Sequence, residues 1–243
     1  MTELRQIAEL IQRRRGARAP YLLGLTGSVA VGKSTLAGQL VAALAEGPGA
    51  TRVDVVSTDG FLFDNTTLEQ RGLLNRKGFP ESYDAEALRG ALEAIRRGPA
   101  DFPGYSHVIY DIDPGLARRL DPPGVLIVEG LGLHEGAAAL GLDALVYLDA
   151  DETHIEAWFT ERFMGLWRAA EHEPASFYAR FRHMSEPEAR GFAGQVWRAI
   201  NLPNLRDHIA RGRDVADIVI TKDAGHAIVD VAVADRTPLD QGR

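Results

Sequence analysis

The sequence predicts an α/β protein with a doubly wound, mostly parallel sheet and helices on both faces. Three observations predict it. Short apolar runs that suit buried strands alternate with segments of helical period. One of those runs, Tyr21–Thr26 (YLLGLT), leads through a glycine-rich turn into a helix, the repeating unit of such sheets. And 243 residues, 45% of them hydrophobic, suffice for one substantial core.

Each element follows from its local pattern. Residues 2–15 read as a helix. Ser34–Ala45 places Leu36, Leu40, Val41 and Leu44 at helical spacing. Val53–Ser57 (VDVVS) is a second strand, and Asp84–Arg97 is a helix with Ala85, Leu88, Leu92 and Ile95 on one face. Val108–Tyr110 is short and strand-like. Val125–Val128 (VLIV) is the continuous apolar run expected of a strand buried on both faces, and Ala144–Leu148 is another. Asp151–Ala170 reads as a long helix with a capping box at Thr153 and Glu156 and an apolar stripe through Ile155, Trp158, Phe159, Phe163, Leu166 and Trp167. Further helices are expected over 174–183 and 186–211. Ile218–Ile220 is a core strand, Ala227–Val233 an edge strand. The whole of 1–243 reads as one domain, with an N-terminal helical segment at 1–20, a helical lid at 151–211 and a loose polar tail at 236–243.

Composition excludes several functions. Net charge is −7, with the charges spread along the chain, which argues against a nucleic-acid binder. The basic cluster Arg13–Arg15 with Arg18 reads as a solvated helix face. No cysteine is present, so disulfides, thiolate metal sites and cysteine nucleophiles are ruled out. The amphipathic N-terminus lacks the apolar core of a signal peptide, and no apolar run is long enough to cross a bilayer. A cytoplasmic protein is expected. Of the 27 basic residues only three are lysines, Lys33, Lys77 and Lys222. A chain that otherwise uses the planar guanidinium keeps an ammonium where a compact point charge is needed.

Gly27-Ser28-Val29-Ala30-Val31-Gly32-Lys33-Ser34, followed by Thr35, fits the phosphate-binding pattern G-x-x-x-x-G-K-[ST]. A strand precedes it and a helix follows, as that motif requires. Glycines let successive N–H groups turn toward phosphates, and the helix N-terminus adds its dipole. Lys33 would reach the β- and γ-phosphates of ATP, and the Ser34 hydroxyl would bind Mg²⁺. Two acids follow other strands: Asp59 after Val53–Ser57, and Glu129 after Val125–Val128. In a parallel sheet both reach the rim that carries the loop, where a carboxylate can take a proton from a hydroxyl or hold Mg²⁺ through water. Arg162, in the helix with the apolar stripe, suits a lid that brings positive charge to a transferring phosphoryl group. Neither a guanine-specificity N-K-x-D motif nor an L-S-G-G-Q signature is present.

The segments GSVAVGKST (27–35), TDGF (58–61), RGLLNRKGFPESYD (71–84), YSHVIYD (105–111), VEGL (128–131) and TKDAGHAI (221–228) resemble bacterial type I pantothenate kinases, within the uridine kinase- and phosphoribulokinase-like group of P-loop kinases. The similarity runs from about residue 21 to about residue 233. It implies a homodimeric enzyme that phosphorylates the terminal hydroxyl of pantothenate with ATP and Mg²⁺, the first step of coenzyme A synthesis. It implies that Asp59 is the catalytic acid facing the hydroxyl, that Lys33 and Arg162 act on the transferred phosphate, that Tyr105, His107 and Asn204 bind the acceptor, and that His226 lies near the adenine. The chain also departs from the family. The family has a longer region before the loop. Phe159 stands where it has a tyrosine that touches pantothenate. Leu166 and Glu171 fall where phenylalanines line the pocket, so a thinned aromatic wall is expected. Gly38 replaces an arginine that helps bind coenzyme A as a feedback inhibitor. An acceptor such as a nucleoside or sugar is the alternative reading; a silent nucleotide sensor is a third, against which the combination of Asp59, Lys33 and Arg162 argues.

Overall fold

The computed structural model describes residues 2–46, 49–136 and 140–234; the expected loose tail at 236–243 lies outside them. The chain runs α1 (Thr2–Arg15), β1 (Tyr21–Gly27), α2 (Lys33–Leu44), β2 (Val53–Ser57), α3 (Asn65–Gln70), α4 (Ala85–Arg97) and β3 (Ala100–Phe102). Then come β4 (Tyr105–Ser106), β5 (Asp111–Ile112), β6 (Arg118–Leu120), β7 (Val125–Glu129) and β8 (Ala144–Ala150). Helices α5 (Glu152–Ala169), α6 (Glu186–Val196), α7 (Leu202–Asp207) and α8 (Gly212–Val215) precede β9 (Ile218–Lys222) and β10 (Ile228–Val233).

Six strands form the central sheet in the order β10-β9-β8-β1-β7-β2, with only the β10 edge antiparallel. The two strands with continuous apolar runs, β1 and β7, lie side by side at its centre, and Leu22, Leu23, Leu25 and Val125–Val128 are fully buried. Each buried aliphatic side chain contributes about 1.5–3 kcal/mol, which fixes the order of the layers. On α1, Ile7, Ala8 and Ile11 recur at helical spacing and are all buried, the stripe by which this helix joins the core.

The starts of the strands are fastened by two carboxylates. Asp143 accepts from the Leu22 amide and from Arg96, both at 2.8 Å. Asp217 accepts from the Leu145 amide at 2.8 Å and from Arg14 at 3.0 Å. The basic cluster at the end of α1 is therefore not simply a solvated face. Arg14 pairs with Asp217, Arg18 approaches Asp143 at 3.6 Å, and Arg15 donates to Thr51 Oγ1 at 2.8 Å, tying α1 to the sheet.

Three local expectations are corrected. Val108–Tyr110 is not a strand but the turn between β4 and β5, with Tyr110 at φ +56°. The helix after β8 is capped by Asp151, whose side chain accepts from Thr153 N at 2.8 Å; the stronger acceptor precedes the proposed Thr153–Glu156 box and starts the helix there. Neither downstream helix is continuous. Of 174–183 only Phe177–Phe181 is helical, as a 3₁₀ turn. The stretch 186–211 opens into a π segment at Trp197–Asn201, just before Pro203, which has no N–H to continue the α ladder. The edge strand at 227–233 forms as β10.

Because Asp217 serves a backbone amide and a guanidinium at once, Asp217→Ala is expected to lower unfolding free energy by about 1.5–3 kcal/mol, read from urea denaturation. A loss below ~0.5 kcal/mol would show that these strand-start bonds exchange freely for water.

Candidate active site

The register of the sheet assembles the site. Leu25 of β1 and Ser57 of β2 both stand opposite Glu129 of β7, so three strands end on one rim. After Ser57 the chain makes a 3₁₀ turn, Thr58–Phe61, with the Ser57 hydroxyl accepting from the Asp59 amide at 3.2 Å. The next strand end is packed against that turn: a Cβ on Gly130 would lie 1.8 Å from Thr58 Oγ1, so only glycine lets the two strand ends approach so closely. Asp59 and Glu129 are thereby brought to one cleft.

The loop after β1 closes on itself. Gly32, at φ +96°, starts α2, and Ala30 sits at φ +63°. Lys33 Nζ donates back to the Gly27 and Ser28 carbonyls at 3.1 and 2.8 Å. Ser34 Oγ donates to both oxygens of Glu129 at 2.9 and 3.0 Å. Burial pushes the Lys33 ammonium down to about 8, against the opposing pull of Glu129 and Asp59. Burial likewise raises Glu129, with Lys33 and the Ser34 hydroxyl countering, and lowers His107 despite Asp59 nearby.

A cavity of about 730 Å³ runs from this loop into the helical region. Val29, Ala30, Lys33, Ser34, Asp59 and Glu129 line its phosphate end, and Arg162 faces it from α5. The Tyr105 and His107 rings meet edge to face at 5.1 Å along its wall. Asn204, 5% exposed, donates to the Gly78 carbonyl at 2.9 Å, while its Oδ1 is buried and has no protein partner among the described residues. The π segment places Val196, Ile200, Asn201 and Asn204 on that same wall. Phe159 also lines it, packed on Trp197 at 5.8 Å.

Other candidates stand elsewhere. Gly27, Ser28, Val31 and Gly32 shape the loop, and Thr35 is exposed on α2, outside the cavity wall. His226 also lies outside it, at φ +66° and stacked on Trp158 with ring centroids 4.1 Å apart. Leu166 lines the cavity together with Phe163, Phe177, Tyr178, Phe181 and Phe192, and Glu171 pairs with Arg182 at 3.1 Å.

Two lysines join the site without having been assigned there. Lys77, its side chain 4% exposed, donates to Asn65 Oδ1 and the Tyr110 carbonyl, both at 2.7 Å, and lies 3.9 Å from Asp111. Lys222 Nζ donates to the Val31 carbonyl at 3.1 Å, bracing the loop from the end of β9. Tyr83, whose hydroxyl donates to Asp59 at 3.4 Å, was also missed. The rarity of lysine is the signal for the first two; Tyr83 lies within the family-like segment 71–84, which gave it no particular role.

No protein-family profile matches the chain. Individual relatives do. A pantothenate kinase of Sorangium cellulosum is 43% identical over 235 residues, spanning 93% of this chain and 76% of that protein. A pantothenate kinase of Xanthobacter autotrophicus is 43% identical over 229 residues, spanning 89% of this chain and 71% of that one. The chain belongs to the pantothenate kinase family. Among solved structures, a candidate fructose transport system kinase of Silicibacter sp. TM1040 superposes with a TM-score of 0.68 at 25% identity, covering 88% of this chain and 94% of that one. The YGR205w protein, at 14% identity and a TM-score of 0.60 over 93% of each chain, shares the fold. The pantothenate kinase relatives thus match by sequence over most of the chain, and the solved structures match by architecture.

The lowered Lys33 predicts a pH signature. The free protein loses this proton near pH 8, below the ordinary value of 10.5. A polyphosphate bound beside Lys33 restores the ammonium. ATP binding is therefore expected to take up a proton between about pH 8 and 10.5 and to weaken as pH rises through that window. Calorimetry at pH 9 in two buffers of different ionisation enthalpy reads the uptake; identical apparent enthalpies rule it out.

Proposed function

We propose that this chain transfers the γ-phosphoryl group of ATP to the terminal hydroxyl of pantothenate, giving 4′-phosphopantothenate, the first committed intermediate of coenzyme A synthesis. The observation that carries the reading is the continuous cavity, which has a phosphate loop and two acids at one end and Tyr105, His107, Phe159 and Asn204 along the acceptor wall. The names of the relatives supply the acceptor.

In this reading Asp59 accepts the proton of the attacking hydroxyl, held at the rim by its 3₁₀ turn. Lys33 and Arg162 neutralise charge that develops on the γ-phosphoryl oxygens, and the loop amides of Gly27–Thr35 cradle the rest of the triphosphate. Such catalysis is positioning plus electrostatics. The donor set suits Mg²⁺, since the Ser34 hydroxyl and the Glu129 carboxylate are hard oxygen ligands already in contact, and Mg²⁺ takes one or two such groups with phosphate and water. Ser34 and Glu129 would hold it, and it would supply charge neutralisation across the β- and γ-phosphates. The neutral His107 and the unpartnered Asn204 oxygen offer hydrogen bonds to the acceptor, and Phe159 offers an apolar face. His226 belongs near the adenine in this reading, which requires its ring to accept a base beside the Trp158 stack. A cytoplasmic homodimer acting without nucleic acid or membrane partners completes the proposal.

Asp59→Asn is expected to lower kcat by about 10²–10⁴-fold while ATP affinity stays within a few-fold. The test is ADP release with pantothenate, uridine and fructose offered in parallel. Release driven by a different acceptor, or an Asp59→Asn enzyme that still turns over, would refute the corresponding part. A second expectation concerns regulation. Gly38 is exposed on α2 with open space where a Cβ would stand, so no cation is available at that position for coenzyme A. Coenzyme A should compete weakly with ATP, and Gly38→Arg should strengthen that inhibition; strong inhibition of the unmodified enzyme contradicts it.

A further inference from the structure

Arg180 lines the same cavity as the phosphate loop but has no part in the chemistry above. It sits on the 3₁₀ turn Phe177–Phe181, its guanidinium 4.1 Å over the Phe177 ring. That ring lies 4.6 Å from Tyr110, and the Phe177 amide donates to the Val108 carbonyl at 2.7 Å. The turn that carries Arg180 is thus docked against the β4–β5 hairpin, the wall that also presents Tyr105 and His107.

Among the described residues, most arginines of this chain pair with a carboxylate, and Arg180 belongs to the minority that do not. At least fifteen arginines stand within 4.0 Å of a carboxylate. Arg180 has no carboxylate at that distance among the described residues, although Glu69 lines the same cavity. Of the cavity's other cations, the two lysines are committed and Arg162 belongs to the phosphate end. Lys33 is folded onto the loop and Lys77 is bonded to Asn65 and Tyr110. Arg162 shares the field of Lys33 and Glu129 at the phosphate end. Arg180 is exposed and lies over Phe177, and Phe163, Phe181 and Phe192 line the same cavity. A guanidinium, weakly hydrated and able to offer two parallel N–H groups, suits a carboxylate that enters the cavity along those rings.

Resting on pantothenate as the acceptor, we propose that Arg180 pairs with the acceptor's carboxylate and makes the site selective for an anionic substrate. The phosphate end then handles the hydroxyl, and Arg180 sets which molecules present it.

The experiment compares pantothenate with its uncharged alcohol analogue, in which CH₂OH replaces the carboxylate, in the full-length enzyme and in Arg180→Met and Arg180→Lys. The readout is the ratio of kcat/KM for the two acceptors. The unmodified enzyme should favour the anion, Arg180→Met should cut that ratio about tenfold, and Arg180→Lys should retain part of it. Loss of the Arg180–Phe177 contact alone would weaken both acceptors together and leave the ratio unchanged. An unchanged ratio in Arg180→Met, with an active parent enzyme, overturns the assignment of Arg180. A parent enzyme that turns over neither acceptor overturns the pantothenate reading itself, and this inference with it.

Discussion

The register of the central strands decides the rest of the molecule. β1 and β7 run parallel with buried apolar side chains on both faces, β2 runs parallel beside β7, and a shift of one residue would turn every one of those side chains to the opposite face. The register that the core enforces puts Glu129 opposite both Leu25 and Ser57, so the loop, Glu129 and Asp59 emerge together. The same rule extends outward. Ala150 at the end of β8 stands opposite Lys222 at the end of β9, so the helix that carries Arg162 and the lysine that braces the loop also leave the sheet on that rim.

At that rim the distribution of lysine acquires a physical meaning. All three ammonium groups bond main-chain carbonyls in confined places: Lys33 at Gly27 and Ser28, Lys77 at Tyr110, Lys222 at Val31. Burial lowers the proton affinity of each. A guanidinium is broader and planar, and there is little space for it: a Cβ on Gly32 would already lie 2.8 Å from Lys222 Nζ. The arginines serve mainly where a fork can meet a carboxylate at the surface. Lys222 and Lys77 each hold the carbonyl of, or next to, a backbone segment in the left-handed region, near Ala30 and Gly32 in one case and at Tyr110 in the other. Two unfavourable backbone conformations, each of order 1–3 kcal/mol, are thus over-determined by a charge-assisted bond.

The parts legible in sequence are those with local causes. The strands of the sheet appear as apolar runs, and Asp59 and Glu129 as acids just past them. The phosphate loop is a pattern in its own right. What escaped depends on distant partners. The β4–β5 turn is shaped by Lys77 and Asn65, which lie more than thirty residues away in the chain. His226 is set by a stack on Trp158, which no periodicity encodes. Phe177, Tyr178, Phe181 and Phe192 line the cavity from segments that reach it only after the chain folds back over α5, which the spacing around Leu166 and Glu171 does not show. The break in the 186–211 helix had a local cause, Pro203, yet its consequence, Asn204 and Ile200 facing one cavity, did not follow from the proline alone.

The packing of α5 bears on how the two ends of the cavity communicate. Its first turns belong to the main core through Ile155, Trp158 and Phe159, whereas Phe163, Met164 and Trp167 belong to a second cluster with Ala189 and Ala193 of α6. Arg162 lies at the seam between the two, with no hydrogen bond or ion pair to fix it among the described residues. Phe163 from the helix and Tyr178 and Phe181 from the 3₁₀ turn contact each other within that cluster and line the cavity, so the aromatic end of the cavity and the turn of α5 next to Arg162 belong to one packing unit.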